Sequence, residues 1–411
     1  MKKLVIGLGA SGQAAAKYFL EKGETVIGVD SDPSKCMLVG LEINFDSADH
    51  PLEGIDQVIL SPGVPLTHPL VLRAEEAKIE VIGEIELALR NLKRPAIGIT
   101  GTNGKTTVTS LVAHVLNHSG RPAEAVGNIG TPLISAIDGD KIAVIELSSY
   151  QLETIKTKKL SAAALLNITP DHLDRYKTMH AYAQAKFLVQ DALIPGGLFV
   201  LEKAAAESYA PLIHREALIY SYEQPPFPLP PPLSGRKNHD AENFIAAFYL
   251  TQRFGVSSSE FLSAYAAFKK PPHRIEFVQE LAGVRFWDDS KGTNIDATIR
   301  AVEGMQGDVL LIAGGVDKGF PYTSWIDPFK GKVKRVYAIG EASPKIEKDL
   351  RHQIPVKIVK NLKEAVEEAS KEARGGDNVL LSPGCASFDM FRDYADRGDQ
   401  FKCLVRSLTG V

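Results

Sequence analysis

A glycine-rich segment, Gly101-Thr102-Asn103-Gly104-Lys105-Thr106-Thr107, carries the residue types that bind phosphate. An apolar run over 96–99 precedes it and predicts a buried strand, and a helix pattern follows it. A glycine-rich turn between a strand and a helix places backbone N–H groups and a helix N-terminus around an anion. Lys105 could reach the outer phosphates, and the Thr106 hydroxyl could bind magnesium. The standard phosphate loop has a glycine where Ile99 stands, so an ordinary strand–turn–helix remains an alternative.

A second glycine-rich turn lies near the start of the chain, at Gly7-Leu8-Gly9-Ala10-Ser11-Gly12. It follows a predicted strand and opens a predicted helix, and Asp30 ends the next predicted strand. This arrangement fits the dinucleotide-binding fingerprint, in which a tight turn brings a pyrophosphate close to the backbone at a helix N-terminus. It predicts a bound phosphate or pyrophosphate rather than hydride transfer. A turn that only lets a helix pack against a strand is the alternative.

Two further side chains, Glu146 and His172, are candidates for phosphate chemistry. Glu146 ends the apolar run 142–145, and an acid at the carboxyl end of a buried strand suits a magnesium ligand. His172 is flanked by acids just beyond another apolar stretch, where it could bind metal or orient a phosphate. A solvent-exposed glutamate and a surface turn are the alternatives for these two residues. Lys186 lies in the helical pattern Met179–Gln190, and its spacing alone gives it no role.

Composition and charge narrow the class of protein. The 411 residues are 44% apolar and 24% charged, which is typical of a globular protein with two or three domains. The net charge of −3 gives no general attraction to nucleic acid or acidic membranes. Glycines interrupt the first apolar run, and no stretch approaches the roughly 18 unbroken apolar residues of a membrane span, so neither a signal peptide nor a membrane span is expected. The scattered cysteines Cys36, Cys385 and Cys403 indicate a reducing cytoplasm.

Short strand and helix patterns alternate along the chain, which predicts parallel sheets covered by helices and hence an α/β fold. In the N-terminal part the predicted strands are Leu4–Leu8, Thr25–Val29, Gln57–Leu60 and Glu80–Ile82, and the predicted helices are Gly12–Glu21 and Pro69–Ala77. Farther along, helices are predicted at Ala241–Arg253 and Glu260–Phe268, and strands at Val309–Ala313, Val333–Ile339, Val356–Val359 and Asn378–Leu381. Hinges are predicted at 92–95 and 271–272.

Eight segments of the sequence, in this order, resemble the Mur ligase family. They include both glycine-rich turns and span residues 7–12, 100–107, 127–130, 146–153, 171–176, 272–276, 288–294 and 382–389. The resemblance covers nearly the whole chain, and within the family it is strongest to the member that adds D-glutamate. Any one segment could occur by chance, whereas eight in the family's order are specific.

The resemblance implies three domains. These are a Rossmann-like domain for the UDP-sugar (1–92), a central ATP-binding domain with a parallel sheet (93–270) and a Rossmann-like domain for the amino acid (271–411). It also implies ATP-driven amide formation in peptidoglycan precursor synthesis, in which D-glutamate joins UDP-N-acetylmuramoyl-L-alanine through an acyl phosphate. A cytoplasmic monomer with no nucleic-acid or membrane partner is expected.

The resemblance assigns the nucleotide and metal sites. The implied ATP contacts are Gly101, Thr102, Asn103, Gly104, Lys105, Thr106, Thr107, Asn243, Arg274 and Asp289. The implied catalytic residues are Lys105, Glu146, His172 and Lys186. Two Mg²⁺ ions are implied, with ligands Thr106, Glu146, His172 and Lys186, the last as a carbamate derived from CO₂. Asp240 stands where the family usually has asparagine, which weakens the expectation that the segment around Asn243 contacts the adenine of ATP.

The resemblance also assigns the two other substrates. The implied contacts of the UDP-sugar are Gly9, Ala10, Ser11, Ser31, Ser61, Asn128, Ser148 and Tyr394. The implied contacts of D-glutamate are Lys291, Thr293, Lys318, Ser387 and Phe388. Asp32 stands where the family has an arginine for the diphosphate, so phosphate recognition must depend on the glycine turn, the serines and the Ser61-Pro62-Gly63 loop.

A carbamate on Lys186 sets a physical condition. Carbon dioxide adds only to a neutral amine, whereas an exposed lysine with a pKa of about 10.4 is almost wholly charged at neutral pH. The difference of about 3.4 pH units corresponds to roughly 4.6 kcal/mol, which burial and nearby metal charge must offset. The sequence therefore predicts that Lys186 is substantially buried.

Other functions remain as alternatives at this point. The strongest alternative is a Mur-type ligase that adds another amino acid. Against it, the Asp-Asn-Pro-Arg motif of the ligases that add diaminopimelate or lysine is absent after Gly314-Gly315. A folylpolyglutamate synthetase should lack the first glycine-rich domain. A dinucleotide-dependent oxidoreductase would leave the second phosphate loop unused, and a nucleotide-binding regulatory protein would not explain Lys186, Arg274 and Lys318 together.

Overall fold

Buried apolar runs form the strands of three separate sheets, and helices connect and cover them. The computed structural model describes residues 1–32, 40–47, 49–231, 233–234 and 239–408, so Cys36 lies outside the described residues. The chain forms two compact units. The first comprises Met1–Ile168 and His180–Lys269, and the second comprises Thr169–Met179 and Lys270–Val411.

The first sheet has five parallel strands in the order β3-β2-β1-β4-β5. The strands are β1 Lys2–Ile6, β2 Thr25–Asp30, β3 Glu42–Phe45, β4 Gln57–Leu60 and β5 Glu80–Gly83. The helices are α1 Ala10–Glu21, α2 Pro69–Glu76 and α3 Glu84–Asn91. This strand order is that of a Rossmann-like sheet, in which ligands bind at the carboxyl ends of the strands.

The central sheet has six parallel strands in the order β11-β10-β9-β6-β8-β7. The strands are β6 Ala96–Thr100, β7 Ala123–Gly127, β8 Ile142–Glu146, β9 Leu160–Leu165, β10 Leu193–Glu202 and β11 Leu218–Tyr220. The helices along this part of the chain are α4 Lys105–His118, α5 Ser149–Leu152, α6 Leu173–Tyr176, α7 Met179–Phe187, α8 Lys203–Ser208, α9 His239–Gln252 and α10 Ser258–Ala267. Of these, α6 belongs to the second unit. The first four residues of β6 are apolar or glycine, and all five are buried, which matches a strand covered on both faces.

The third sheet belongs to the second unit and has the order β12-β13-β17-β14-β15-β16. The strands are β12 Glu276–Leu281, β13 Val284–Asp288, β14 Val309–Gly314, β15 Val333–Ile339, β16 Val356–Ile358 and β17 Asn378–Leu381. The helices are α11 Ile295–Gly304, α12 Ile326–Phe329, α13 Ser343–Leu350, α14 Leu362–Glu372 and α15 Tyr394–Ser407. All neighbouring strands are parallel except the edge pair β12–β13.

The α/β fold predicted from the alternation is confirmed, and several predicted bounds are corrected. The first strand stops at Ile6 instead of residue 8 because Gly7 adopts a φ of +84°. The helix predicted over Met179–Gln190 divides into α7 and a short 3₁₀ helix at Leu188–Gln190. Each range 1–92, 93–270 and 271–411 contains one sheet, and the domain boundaries themselves stay predictions. Within the described part of the chain, no helix is long and apolar enough to cross a membrane.

Candidate active site

The predicted phosphate loop connects β6 to α4 in the first unit. Gly104, directly before α4, has a φ of +87°, and a Cβ at this position would lie 2.3 Å from Oδ1 of Asn243. Both facts explain the glycine, because a larger residue would be strained and would displace the asparagine. The loop and Asn243, predicted at the adenine side, are therefore neighbours. The start of α4 supplies N–H groups that have no acceptor within the helix.

Asn167 holds the loop in shape, although no pattern in the sequence singled out this residue. Its Oδ1 accepts a hydrogen bond from the N–H of Asn103 at 2.8 Å, and its Nδ2 donates to the carbonyl of Asn103 at 3.0 Å. Its backbone carbonyl accepts from the N–H of Thr102 at 2.9 Å. The amides of Thr102 and Asn103 thus serve the loop's own structure.

Two lysine side chains meet at one backbone carbonyl of the loop. Nζ of Lys105 donates to Gly101 O at 2.9 Å and to Thr102 O at 2.8 Å. Nζ of Lys186 donates to the same Gly101 O at 2.7 Å and lies 4.6 Å from the ring centre of Tyr182. The Lys186 side chain is only 1% exposed, so its predicted burial is confirmed. Burial and a neighbouring lysine both penalise positive charge at this nitrogen.

Glu146 ends β8, beside the strand that leads into the loop, because its register partner on β6 is Ile99. The residue is 3% exposed. Oε1 accepts a hydrogen bond from Asn128 Nδ2 at 2.9 Å, whereas the buried Oε2 has no hydrogen-bond partner among the described residues. A buried carboxylate oxygen without a donor is costly unless a cation binds it. This oxygen fits a magnesium ligand, and carboxylates are among the ligands that Mg²⁺ prefers.

A cavity of about 500 Å³ gathers most of the residues predicted for the UDP-sugar. Its lining includes Gly9, Ala10, Ser11, Ser31, Ser61 and Asn128, which come from both sheets of the first unit. Ser148 is not among the described residues that line the cavity, and its hydroxyl caps α5 by accepting a hydrogen bond from the N–H of Gln151. Tyr394 belongs to the second unit.

Two aspartates that line this cavity have structural partners of their own. The carboxylate of Asp30 accepts hydrogen bonds from the N–H of Leu8 at 2.5 Å and from the N–H of Asp32 at 2.8 Å, so Asp30 orders the first glycine turn. Asp46, which the sequence did not single out, also lines the cavity and pairs with His68 at 2.8 Å. Two lining acids beside a predicted diphosphate site mean that backbone amides and serines must supply the attraction for phosphate.

The second unit contains His172 and an ion pair next to it. His172 has a φ of +54° and directly precedes α6. The neighbouring Asp171 is 6% exposed, and its Oδ1 lies 3.2 Å from Nζ of Lys318. Asn294 Nδ2 donates to the other oxygen of Asp171 at 3.4 Å. Lys318, predicted for D-glutamate, is thus held beside the segment that carries the predicted metal ligand His172.

The other residues predicted for D-glutamate lie in the second unit, as does Arg274, whereas Thr106 and Thr107, predicted for ATP, lie in α4 of the first unit. Nζ of Lys291 lies 3.7 Å from the ring centre of Tyr394, which is a cation–π contact. Ser387 is buried, whereas Phe388 is 74% exposed, so its ring lies at the surface. Thr293 and Arg274 are both partly buried.

Asp289, predicted to reach the ribose, is bound within the second unit. Its carboxylate accepts hydrogen bonds from Ser382 Oγ at 2.7 Å and from the N–H of Ile275 at 3.2 Å. Burial raises the pKa of Asp289 to about 7, against the opposing effect of these hydrogen bonds.

A buried histidine–aspartate pair lies next to Arg274 and was not predicted. Nδ1 of His273 lies 2.7 Å from Oδ2 of Asp288, and Glu276 completes a cluster with metal-ligand geometry. Nζ of Lys402 lies 3.4 Å from Glu276 Oε2 and 4.0 Å from Asp288 Oδ2. Lys402 thus compensates part of the negative charge of this cluster.

Three family models match successive parts of the chain. The Mur ligase MurD-like N-terminal domain matches residues 1–83, the Mur ligase middle domain matches 99–224, and the Mur ligase glutamate ligase domain matches 273–385. The three matches together cover most of the sequence, in the order that the motifs predicted.

Curated relatives match the chain over nearly its whole length. The UDP-N-acetylmuramoylalanine–D-glutamate ligase of Protochlamydia amoebophila (strain UWE25) is 48% identical over 435 residues, covering 99% of this chain and 98% of that protein. The enzyme of the same name from Thermoanaerobacter sp. (strain X514) is 37% identical over 457 residues, covering 99% of this chain and 98% of that protein.

Solved structures share the fold at lower identity. The UDP-N-acetylmuramate–alanine ligase of Thermotoga maritima has a TM-score of 0.59 at 18% identity and covers 99% of both chains. The MurF ligase of Thermotoga maritima, solved in complex with ADP, has a TM-score of 0.60 at 17% identity and covers 86% of this chain and 88% of that chain. With three matching domain models and a relative at 48% identity along the full chain, this protein belongs to the Mur ligase family.

Proposed function

We propose that this protein uses ATP to join D-glutamate to UDP-N-acetylmuramoyl-L-alanine by an amide bond, a step in making peptidoglycan precursors. The two curated relatives named for this activity align with nearly the whole chain, which supports the assignment. The structural observation that carries it is the arrangement around Gly101. Two lysine nitrogens bond to its carbonyl, and a buried glutamate ends the neighbouring strand. Phosphoryl transfer between two anions requires such a concentration of charged, fixed groups.

The first unit binds the phosphates of ATP in this proposal. Lys105 exchanges its two loop carbonyls for oxygens of the β- and γ-phosphates, and the amides at the start of α4 bind further oxygens. Because Lys105 is already held at the loop, it loses little side-chain freedom when the nucleotide binds. Asn243, which packs against Gly104, contacts the nucleotide on its adenine side. Arg274 and Asp289 contribute from the second unit.

Magnesium fits the donors that the chain offers. Thr106, Glu146, His172 and a carbamate on Lys186 are the proposed ligands of two ions, and Oε2 of Glu146 is the buried oxygen that most needs a cation. The bound ions would neutralise charge on the phosphates and on the attacking carboxylate. Lys186 reacts with CO₂ through its neutral amine, and the resulting carbamate replaces a cation with an anion beside Lys105.

The reaction has two chemical steps. An oxygen of the terminal alanine carboxylate attacks the γ-phosphorus of ATP, the bond to the β,γ-bridging oxygen breaks, and ADP leaves. The neutral amine of D-glutamate then attacks the carbonyl carbon of this acyl phosphate to give a tetrahedral intermediate. Phosphate departs with the oxygen that came from the carboxylate, and the amine loses a proton. Lys105 stabilises the charge that develops on the transferred phosphoryl group.

The second unit binds the amino acid. Lys291 and Lys318 bind the two carboxylates of D-glutamate, and Thr293, Ser387 and the backbone near Phe388 complete the site. Lys318 is already paired with Asp171, so the incoming carboxylate exchanges with an existing ion-pair partner. Two cations match a dicarboxylic amino acid, which favours glutamate over alanine or lysine.

The cavity in the first unit binds the UDP-sugar. The amides of the first glycine turn and the hydroxyls of Ser11, Ser31 and Ser61 bind the diphosphate and uridine, and Asn128 lies at the side of the central sheet. We further propose three domains with boundaries at 92 and 270, a monomeric state and a cytoplasmic location.

A panel of amino acids tests this function. Purified protein is mixed with ATP, Mg²⁺ and UDP-N-acetylmuramoyl-L-alanine, and ADP release is measured with D-glutamate, L-glutamate, L-alanine, L-lysine or diaminopimelate. We expect release with D-glutamate alone. Activity with another amino acid would reassign the protein within the family, and turnover with a nicotinamide cofactor in the absence of ATP would indicate an oxidoreductase.

A further inference from the structure

Arg397, in α15, is a buried cation that the mechanism above does not use. The residue is fully buried, and none of the described carboxylates forms an ion pair with it, although Asp288, Asp289 and Asp389 attract its charge from farther away. Its guanidinium instead donates to oxygens of Ser290, Cys385, Gly314 and Ala386. A charged group is costly to bury, and here carbonyl dipoles and one hydroxyl compensate for its desolvation.

The bonds differ in length, and the shortest go to one residue. Nε lies 2.9 Å from Ser290 Oγ, and Nη2 lies 2.8 Å from Ser290 O. Both Nη atoms lie 3.3 Å from Cys385 O, and Nη1 lies 3.5 Å from Gly314 O and from Ala386 O. A planar guanidinium with five N–H groups can serve all these acceptors at once, whereas a lysine ammonium has three at a single point.

The acceptors belong to three separate segments. Ser290 directly precedes Lys291 and lies three residues before Thr293, Gly314 ends β14 four residues before Lys318, and Cys385 and Ala386 directly precede Ser387. These are the residues proposed above to bind D-glutamate. The segments also bond to one another, since the N–H of Val316 donates to Ala386 O at 3.0 Å and the N–H of Gly384 donates to Gly292 O at 2.8 Å.

We propose that Arg397 is a positioning residue that fixes the three amino-acid-binding segments relative to one another, without touching a substrate. This inference rests on the proposed function, because the segments have a common task only if they bind the amino acid. If the guanidinium is lost, the strand that precedes each segment still forms. The side chains of Lys291, Lys318 and Ser387 are then no longer held in fixed positions relative to one another. Small displacements of binding groups have large effects on rate and binding.

The test compares Arg397→Lys and Arg397→Met with the unchanged protein and with Phe401→Leu. Phe401 is buried on the same helix but packs in the apolar core, so it controls for simple loss of packing. KM is measured for D-glutamate, ATP and the UDP-sugar at a temperature where each variant is folded. We expect KM for D-glutamate to rise about tenfold in Arg397→Lys and about a hundredfold in Arg397→Met, with KM for ATP within about twofold of the unchanged value. Phe401→Leu should lower the melting temperature and leave the KM values unchanged.

Added guanidinium chloride at low concentration should partly restore KM for D-glutamate in Arg397→Met, and ammonium chloride should not. Equal changes in KM for ATP and D-glutamate, or no change in either, would overturn the proposal. If Arg397→Met does not fold, Arg397→Lys decides the question, because it keeps the charge and loses only the planar donor set. If the unchanged protein shows no ADP release with D-glutamate, the proposed function fails and not merely the role of Arg397.

Discussion

The side-chain nitrogens of Lys105 and Lys186 donate hydrogen bonds to one acceptor, the carbonyl oxygen of Gly101, at 2.9 and 2.7 Å. Two ammonium groups this close repel each other, and one of them is fully buried. Conversion of Lys186 to a carbamate would turn the repulsion into attraction. The geometry therefore gives a physical reason for the modification that the family resemblance implied.

The carbamate is the first prediction. Protein equilibrated with ¹³C-labelled bicarbonate should show a carbamate signal by NMR that Lys186→Gln lacks. Lys186→Gln should also lower kcat for ADP release by about 10²- to 10³-fold, because a charged group is removed from the site of phosphoryl transfer. Lys158→Gln, at an exposed position, is the matched control and should behave as the unchanged protein. A fully active Lys186→Gln would refute the role.

The unpaired oxygen of Glu146 leads to a second prediction with two opposite effects. Glu146→Gln keeps an acceptor for Asn128 and removes a buried charge, so the metal-free protein should gain about 1 kcal/mol in free energy of unfolding. The same change should raise the Mg²⁺ concentration needed for half-maximal activity by at least about tenfold, because a ligand is lost. Urea unfolding in a chelator and a magnesium titration measure the two effects.

Glu303→Gln, at an exposed position in α11, is the control for Glu146→Gln and should change neither quantity. Destabilisation of the metal-free protein by Glu146→Gln, together with normal magnesium dependence, would mean that Glu146 is a structural residue.

Lys318 gives a third prediction, which concerns the amino acid alone. Lys318→Ala removes a charge-assisted hydrogen bond to a carboxylate, so KM for D-glutamate should rise by about 10- to 100-fold while KM for ATP stays unchanged. Lys345→Ala is a close control, because Lys345 pairs with Asp317 at 2.9 Å, next to Lys318 in sequence. Steady-state kinetics with each substrate varied in turn should separate the two lysines. Similar KM values for D-glutamate in both variants would contradict the assignment.

Glu84 gives a fourth prediction, on stability and pH. It is 1% exposed, its Oε1 accepts a hydrogen bond from the N–H of Ile134 at 2.8 Å, and its Oε2 has no hydrogen-bond partner in the part of the chain that the structure describes. Burial raises its pKa from 4.5 to about 7. The folded state therefore binds the proton more tightly than the unfolded state does. Its contribution to stability is present below pH 4.5 and is lost as the pH rises through 7, by about 3 kcal/mol in total.

Replacement of Glu84 by glutamine removes this titration. Glu84→Gln should flatten the pH dependence of the free energy of unfolding between about pH 5 and about pH 8 and should stabilise the protein at the upper end. Urea unfolding across that range measures both. A slope equal to that of the unchanged protein would show that Glu84 is not the group responsible.

The sequence predicted much of the fold because strands buried on both faces are short apolar runs that need no partner to be recognised. It missed strands whose signal depends on tertiary contacts. The edge strand β3 has no fully buried residue, and Pro195-Gly196-Gly197 interrupts the apolar pattern of β10. In the antiparallel pair β12–β13, the edge strand β12 has no buried residue and contains two glutamates, so it offers no buried apolar run to recognise.

For the candidate site, the sequence located residues that belong to local motifs, such as Lys105 in its loop and Glu146 at the end of its strand. It could not locate residues that act from a distance along the chain. Asn167 reaches the loop across more than sixty residues, and Arg397 bonds to Ser290 across more than a hundred. Neither lies in a pattern of spacing, because only the folded chain brings the partners together.

The central claim is that the carboxylate of the UDP-sugar substrate attacks the γ-phosphate of ATP. It is tested most directly with UDP-N-acetylmuramoyl-L-alanine that carries ¹⁸O in both oxygens of its alanine carboxylate. After turnover with ATP and D-glutamate, mass spectrometry of the released phosphate should show one ¹⁸O atom for each ADP formed. Phosphate without ¹⁸O, released in step with amide formation, would contradict the account.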